Sequence, residues 1–280
     1  MSAGAEGVAI DLSGVAVRVR GLPGPLEARL AREWSAFLSV DGGRPFLDVT
    51  ASLAEMEPPV GPFAPKAMRS RLDLEGASFS MAEGDVAVDA SGRALLRLGA
   101  AVAPERGWFA FLNLLRAALA WRMPSRDGML LHAAGVTLEG RAFVLAGSEG
   151  SGKSTFAALA ASRGARVLSD DLVLLDGAGG AIEALGAPFR STHPGAQEPG
   201  RWPVAAILFP SHGTAACLGA APPLLTRARI TANLPFVAEG IEADARILSA
   251  IERLARGVPA RELTFARDPA FVDLLLGFPR

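Results

Sequence analysis

The run Gly147-Ser148-Glu149-Gly150-Ser151-Gly152-Lys153-Ser154-Thr155 fits G-x-x-x-x-G-K-[ST] at every fixed position. Residue types in this order do phosphate chemistry. Glycines let the backbone curl so that successive N–H groups point at one anion. Lys153 supplies an ammonium for the β- and γ-phosphates, and the Ser154 hydroxyl is a ligand for Mg²⁺. A helix that begins here aims its positive end at the same anion. The chain has only two lysines, Lys66 and Lys153, against 26 arginines. A lysine at this one position fits a site that needs a slim ammonium rather than a broad guanidinium fork.

A second constellation follows 17 residues after Lys153, where Asp170-Asp171 ends the apolar run from Arg166. Strand ends on the loop side are where open α/β sheets place reacting groups. One carboxylate can hold Mg²⁺ and the other can accept the proton of an attacking hydroxyl. Neighbouring residues of a strand face opposite ways, so the two need not share a role. His132, in Leu130-Leu131-His132-Ala133-Ala134, has two readings. It is a core or capping histidine, or an imidazole that orients an acid or stabilises a transferring phosphoryl group.

The elements that must carry these residues are legible from periodicity. Arg141 to Ala146 reads as a buried strand and Ser154 to Ser162 as a helix with Phe156, Leu159 and Ala160 on one face, stopped by Gly164. Met129 to Leu138 reads as a strand turning into the loop strand at Glu139-Gly140. Strands at Leu172 to Leu175, Ala181 to Leu185, Val204 to Phe209 and Arg261 to Phe265 are expected, with helices at Ala221 to Asn233, Glu242 to Arg256 and Asp268 to Leu276. Ahead of them, residues 1 to 105 read as a β-rich α+β part. It has a hairpin at Ser13-Gly14, a helix from Pro25 to Leu38 and strands at Pro45 to Leu53, Phe79 to Met81, Val86 to Val88 and Ala94 to Leu98. A proline-rich loop spans Pro58 to Pro65, a helix from Trp108 to Met123 leads into the second part, and its stretch from Trp108 to Trp121 is read as packing between the two parts.

Composition sets the outer limits. In 280 residues half are hydrophobic, a fifth are charged and the net charge is −1, which describes a globular chain and disfavours an electrostatic nucleic-acid binder. The lone Cys217 forbids an internal disulfide and a cysteine-based zinc site, which suits a reducing cytoplasm, and is read as a buried or half-buried small hydrophobe. Glu6 and Asp11 early in the chain argue against a signal peptide. The Trp108 to Trp121 stretch, interrupted by Asn113 and Arg116, is too short and polar for a membrane span. His193 and His212 fall in Gly/Pro-rich loops and read as surface residues.

Taken together, Leu131-His132-Ala133, the loop at Gly147, Arg163-Gly164 and Ser169-Asp170-Asp171 resemble the catalytic domain of the HPr kinase/phosphorylase family and its relatives. The intervals also match that family, with 15 residues from His132 to Gly147 and 17 from Lys153 to Asp170. The resemblance covers about residues 129 to 210 and, more loosely, Val258 to Leu263. It implies a P-loop kinase domain with a mixed sheet over residues 106 to 280. It also implies ATP-dependent phosphorylation of a hydroxyl, typically a serine, on a protein, peptide or small molecule. By position, residues 147 to 155 bind ATP, Ser154 and Asp171 hold Mg²⁺, Asp170 accepts the proton, and His132 joins Lys153 in the active site. ATP-dependent phosphoenolpyruvate carboxykinases use a related loop.

The chain departs from the family at several places. Glu149 replaces a serine, Thr155 replaces a glutamate, and a second signature is reduced to Glu183-Ala-Leu-Gly186. Glu183 is placed by the resemblance at the metal and Arg190 at the γ-phosphate. In the family that second region accompanies phosphorolysis, so a related kinase with another substrate is expected. An ATP-binding regulator without transfer and a carboxykinase-like small-molecule phosphotransferase are the alternatives. Homo-oligomerisation and the acceptor stay open.

Overall fold

The computed structural model describes residues 7–40, 43–57, 68–189 and 198–279. The architecture is α/β, with two mixed sheets and, among the described residues, six α-helices. The chain divides into two units, Met1–Arg122 with Glu239–Ala245, and Met123–Ala238 with Arg246–Arg280. The proline-rich loop, Arg190 and His193 lie outside the described residues.

The first unit contains β1 (Val8–Asp11), β2 (Ala16–Arg20), α1 (Gly24–Glu33), β3 (Leu47–Ala54), β4 (Arg69–Leu72), β5 (Gly76–Met81), β6 (Gly84–Asp89), β7 (Arg93–Gly99) and α2 (Pro104–Arg122). Its sheet has the order β1-β2-β3-β7-β6-β5-β4. Ser13 and Gly14, at φ 56° and 98°, turn the expected first hairpin. Alternation fixes which face is covered. Val86, Val88, Ala94, Leu96 and Leu98 are buried. Asp85 and Arg97 point the other way and pair across the strands at 2.9 Å. The helix α2 packs on β5, β6 and β7. The boundary expected near residue 105 therefore moves to Arg122, because the apolar surface of α2 is spent on the first sheet.

The second unit contains β8 (Met129–Leu138), β9 (Arg141–Ala146), α3 (Lys153–Ser162), β10 (Arg166–Ser169), β11 (Leu172–Asp176), β12 (Glu183–Leu185), β13 (Arg201–His212), β14 (Cys217–Ala220), α4 (Pro223–Ala232), α5 (Ala245–Gly257), β15 (Ala260–Phe265) and α6 (Phe271–Leu276). Strands β9, β13 and β15 run parallel. Strands β8, β9 and β11 are buried almost end to end, the mark of a sheet covered on both faces. The Glu139-Gly140 turn, at φ 48° and 75°, joins β8 to β9 as expected. Behind α3, Phe156 stacks on Phe271 with ring centroids 5.0 Å apart, and both contact Phe265. This aromatic knot anchors α3 against the end of β15. Cys217 is exposed on the edge strand β14, which corrects its reading as a buried hydrophobe: an edge strand presents side chains to solvent. Among the described residues, no helix is long and apolar enough to cross a membrane.

Candidate functional site

All of the site described below lies in the second unit. The strand β9 ends at Ala146, and the next six residues loop into α3. Gly150 and Gly152 adopt left-handed conformations, at φ 78° and 97°, that other residues enter only with strain. Gly147 is needed for a different reason. A Cβ there would fall 2.5 Å from the Ser151 hydroxyl oxygen and 2.8 Å from Pro210. Gly152 is the N-cap of α3, and no side chain caps that end. The first N–H groups of a helix lack intrahelical acceptors, so this N-terminus is open to an anion. The buried Ser151 Oγ has no hydrogen-bond partner among the described residues.

Lys153 is only 7% exposed. Its ammonium donates to the carbonyl oxygens of Gly147 and Ser148, both at 2.8 Å, and so holds the loop closed around itself. Burial lowers its pKa below the ordinary 10.5, an effect that the carboxylates of Asp171 and Glu149 oppose. Asp171 is therefore within electrostatic reach of the loop cation. Ser154 and Thr155 sit exposed in the first turn of α3.

The two aspartates occupy the break between β10 and β11. Both strands pair with β8, so the break lies opposite its middle. Ser169 fixes the break: its hydroxyl donates to the Phe189 carbonyl at 2.5 Å and accepts from the N–H groups of Asp171 and Leu172. The two carboxylates then part. Asp170 is 3% exposed, whereas the Asp171 side chain is 27% exposed and places Oδ1 3.2 Å from Nδ1 of His132. His132 is the one position of β8 that is not buried. Its own N–H donates to the Asn233 carbonyl, just past α4.

Of the residues singled out from sequence, the loop 147–155, Asp171 and His132 thus come together. Asp170 flanks them but is buried. Glu183 does not join them. It pairs with Asp176 across β11 and β12, at the end of β11 remote from Asp171, and it accepts from Arg201 at 2.7 Å. The expected metal role for Glu183 is corrected accordingly: its carboxylate belongs to a structural ion cluster. In that cluster Asp176 is fully buried and takes Arg126 at 2.7 Å and Arg201 at 2.8 Å. Burial alone would raise the Asp176 pKa, but the hydrogen bonds from Arg126 and Arg201 hold it below the ordinary 3.8.

Two contributors enter the sequence reading without a role, Ser169 only within the Ser169-Asp170-Asp171 run and Asn233 only as the end of a helix. Ser169 was visible as a hydroxyl between an apolar strand and two acids, a pattern that suits a local cap. Asn233 acts through its backbone, which no residue type announces. Among the described residues, no three His, Cys, Asp or Glu side chains gather as a metal cage. A site built from Ser154 and Asp171 suits an ion that draws most ligands from phosphate and water, as Mg²⁺ does. No family model matches the chain, and no curated protein is found similar to it.

Proposed function

We infer that this protein is an ATP-dependent kinase that passes the γ-phosphoryl group to a hydroxyl, of serine type, on a protein, peptide or small molecule. One observation carries the reading: the glycine loop that opens α3, closed on the buried Lys153 ammonium, is followed directly in the chain by the strand break where Asp171 stands 3.2 Å from Nδ1 of His132. A triphosphate held by the loop would therefore end beside the Asp171–His132 pair. The resemblance of these segments to the HPr kinase/phosphorylase family supports the same reading.

In this account the loop amides and Lys153 bind the phosphates and keep them in line for attack. Ser154 and Asp171 would hold Mg²⁺, which when bound would supply positive charge against that of the phosphates. Asp171 Oδ1 accepts the Nδ1 proton of His132 and so leaves Nε2 as the outward acceptor. The incoming hydroxyl gives its proton to Nε2 while its oxygen bonds to the γ-phosphorus. The bond from phosphorus to the bridging oxygen breaks, and ADP leaves with that electron pair. This assigns the proton to the exposed pair and makes Asp170, buried behind it, a structural support. Incubation with γ-labelled MgATP and a panel of hydroxyl-bearing peptides and metabolites tests the reading. Label on a hydroxyl supports it, and bound ATP with no transfer to any acceptor or to water contradicts it.

A further inference from the structure

In the first unit, α2 packs on one face of β5, β6 and β7. The opposite face carries the alternate side chains of the strands. Register lines these up in a row: Arg71, Ser78, Ala87, Leu95 and Thr50 stand side by side across β4, β5, β6, β7 and β3. All five are exposed. Small side chains at Ser78 and Ala87, with Gly76 beside them, leave a trough of about 460 Å³ bounded by Arg71, Leu95 and Arg93. Leu95 is 64% exposed, on a face where alternation ordinarily sets polar groups towards water. Exposed apolar surface rimmed by polar residues marks an interaction site.

Charge on this face is uneven. Arg97 pairs with Asp85 at 2.9 Å and Arg20 with Asp48 at 2.8 Å. Asp73 and Asp89, which also line the trough, are engaged by their own turns. Asp73 Oδ1 accepts from the N–H groups of Glu75 and Gly76, and Asp89 Oδ1 from those of Ser91 and Arg93. Among the described residues, the guanidinium groups of Arg69, Arg71 and Arg93 have no hydrogen-bonded or ion-paired partner. We propose that the trough docks an extended peptide segment carrying an apolar side chain between carboxylates, independently of the phosphate chemistry of the glycine loop. The apolar side chain lies on Ala87 against Leu95, and the carboxylates meet the forks of Arg71 and Arg93. From β4 to β7 is about 14 Å and Arg93 lies ~7 Å further along its strand, a diagonal that an extended chain covers in about five residues. Acids on both sides of a central leucine therefore reach both arginines. A nucleic acid fits less well, because the lining has no aromatic ring on which a base could stack.

Fluorescence anisotropy of the full chain with a labelled Gly/Ser peptide bearing Glu-Asp-Leu-Asp-Glu at its centre tests this. Saturable binding is expected, lost when lysines replace the acids and weakened when glycine replaces the leucine. Added salt should weaken it, since the paired charges are exposed. Ala87→Glu sets a like charge on the floor of the trough and should weaken binding about tenfold or more. Arg71→Glu and Arg93→Glu should each weaken it about three- to tenfold, and they decide the matter if the Ala87 variant does not fold. Failure of the unaltered chain to bind the peptide, or equal binding by all three variants, overturns the proposal. Tighter binding of a labelled uridine homopolymer, lost in the same variants, also overturns it and makes the face a nucleic-acid surface. A dimer in sedimentation velocity that Ala87→Glu dissolves overturns it too, with a second copy of the chain as the occupant.

Discussion

The Nδ1 atom of His132 lies 3.2 Å from Oδ1 of Asp171, across the gap between β8 and the start of β11. His132 and Leu172 are register partners in that pairing. The histidine is therefore positioned by the sheet itself, and its contact with Asp171 follows from a strand break that Ser169 holds in shape.

If the pair works as one proton-accepting unit, His132→Asn and Asp171→Asn each lower turnover about 10²- to 10⁴-fold. The double variant is no slower than the worse single, because groups acting together are strongly non-additive. His132→Asn leaves MgATP affinity unchanged, whereas Asp171→Asn weakens it. Single-turnover transfer and calorimetry separate these effects, and multiplicative losses would show two independent roles.

Lys153 carries a cost in the unliganded protein. Its folded pKa is lowered by burial, so the folded chain binds fewer protons than the unfolded chain in the interval below 10.5. The penalty is fully present below the folded pKa and vanishes as pH rises to the unfolded value. Lys153→Met should thus be at least as stable as the parent near neutral pH, with its relative advantage shrinking towards pH 10.5. Denaturant melts from pH 7 to 10 check this, and an advantage that grows with pH would contradict it.

The cluster around Asp176 is predicted to be structural. Asp176→Asn leaves Arg126 and Arg201 without their buried counter-ion and should cost about 3–5 kcal/mol. The Asp176 pKa is held below 3.8, so its contribution is present above that pH and is lost as pH falls through the folded value. Stability of the two proteins should converge in acid. Glu183→Gln, by contrast, should leave MgATP affinity and turnover within about twofold, since a paired carboxylate at the far end of β11 has no substrate to touch. A large loss of activity would return Glu183 to the metal.

Much of the second unit was legible because its signals are local. The apolar runs of β8 and β9, the turn at Glu139-Gly140 and the fixed glycines specify the loop without tertiary information. The separation of Asp170 from Asp171 was anticipated in kind, through strand alternation, but not in direction. Which of the two is exposed depends on β8 lying alongside the break, a long-range pairing. The edge strand β14 was missed because Cys217-Leu-Gly-Ala220 has neither β-branched residues nor clean alternation. Glu183 was misplaced because its partner Arg201 is 18 residues away in sequence and joins it only through the pairing of β12 with β13. The reach of α2 into the first unit was hidden for a related reason: an apolar helix does not say which sheet it covers.

If a triphosphate binds in the glycine loop against Lys153, calorimetric titration of the full chain with MgATP, set beside Lys153→Met, should give saturable one-to-one binding with Kd in the ~1 µM–1 mM range common for enzyme substrates, lost in the lysine variant while its fold is kept. Absence of binding in the unaltered protein, or equal affinity in both, would contradict it.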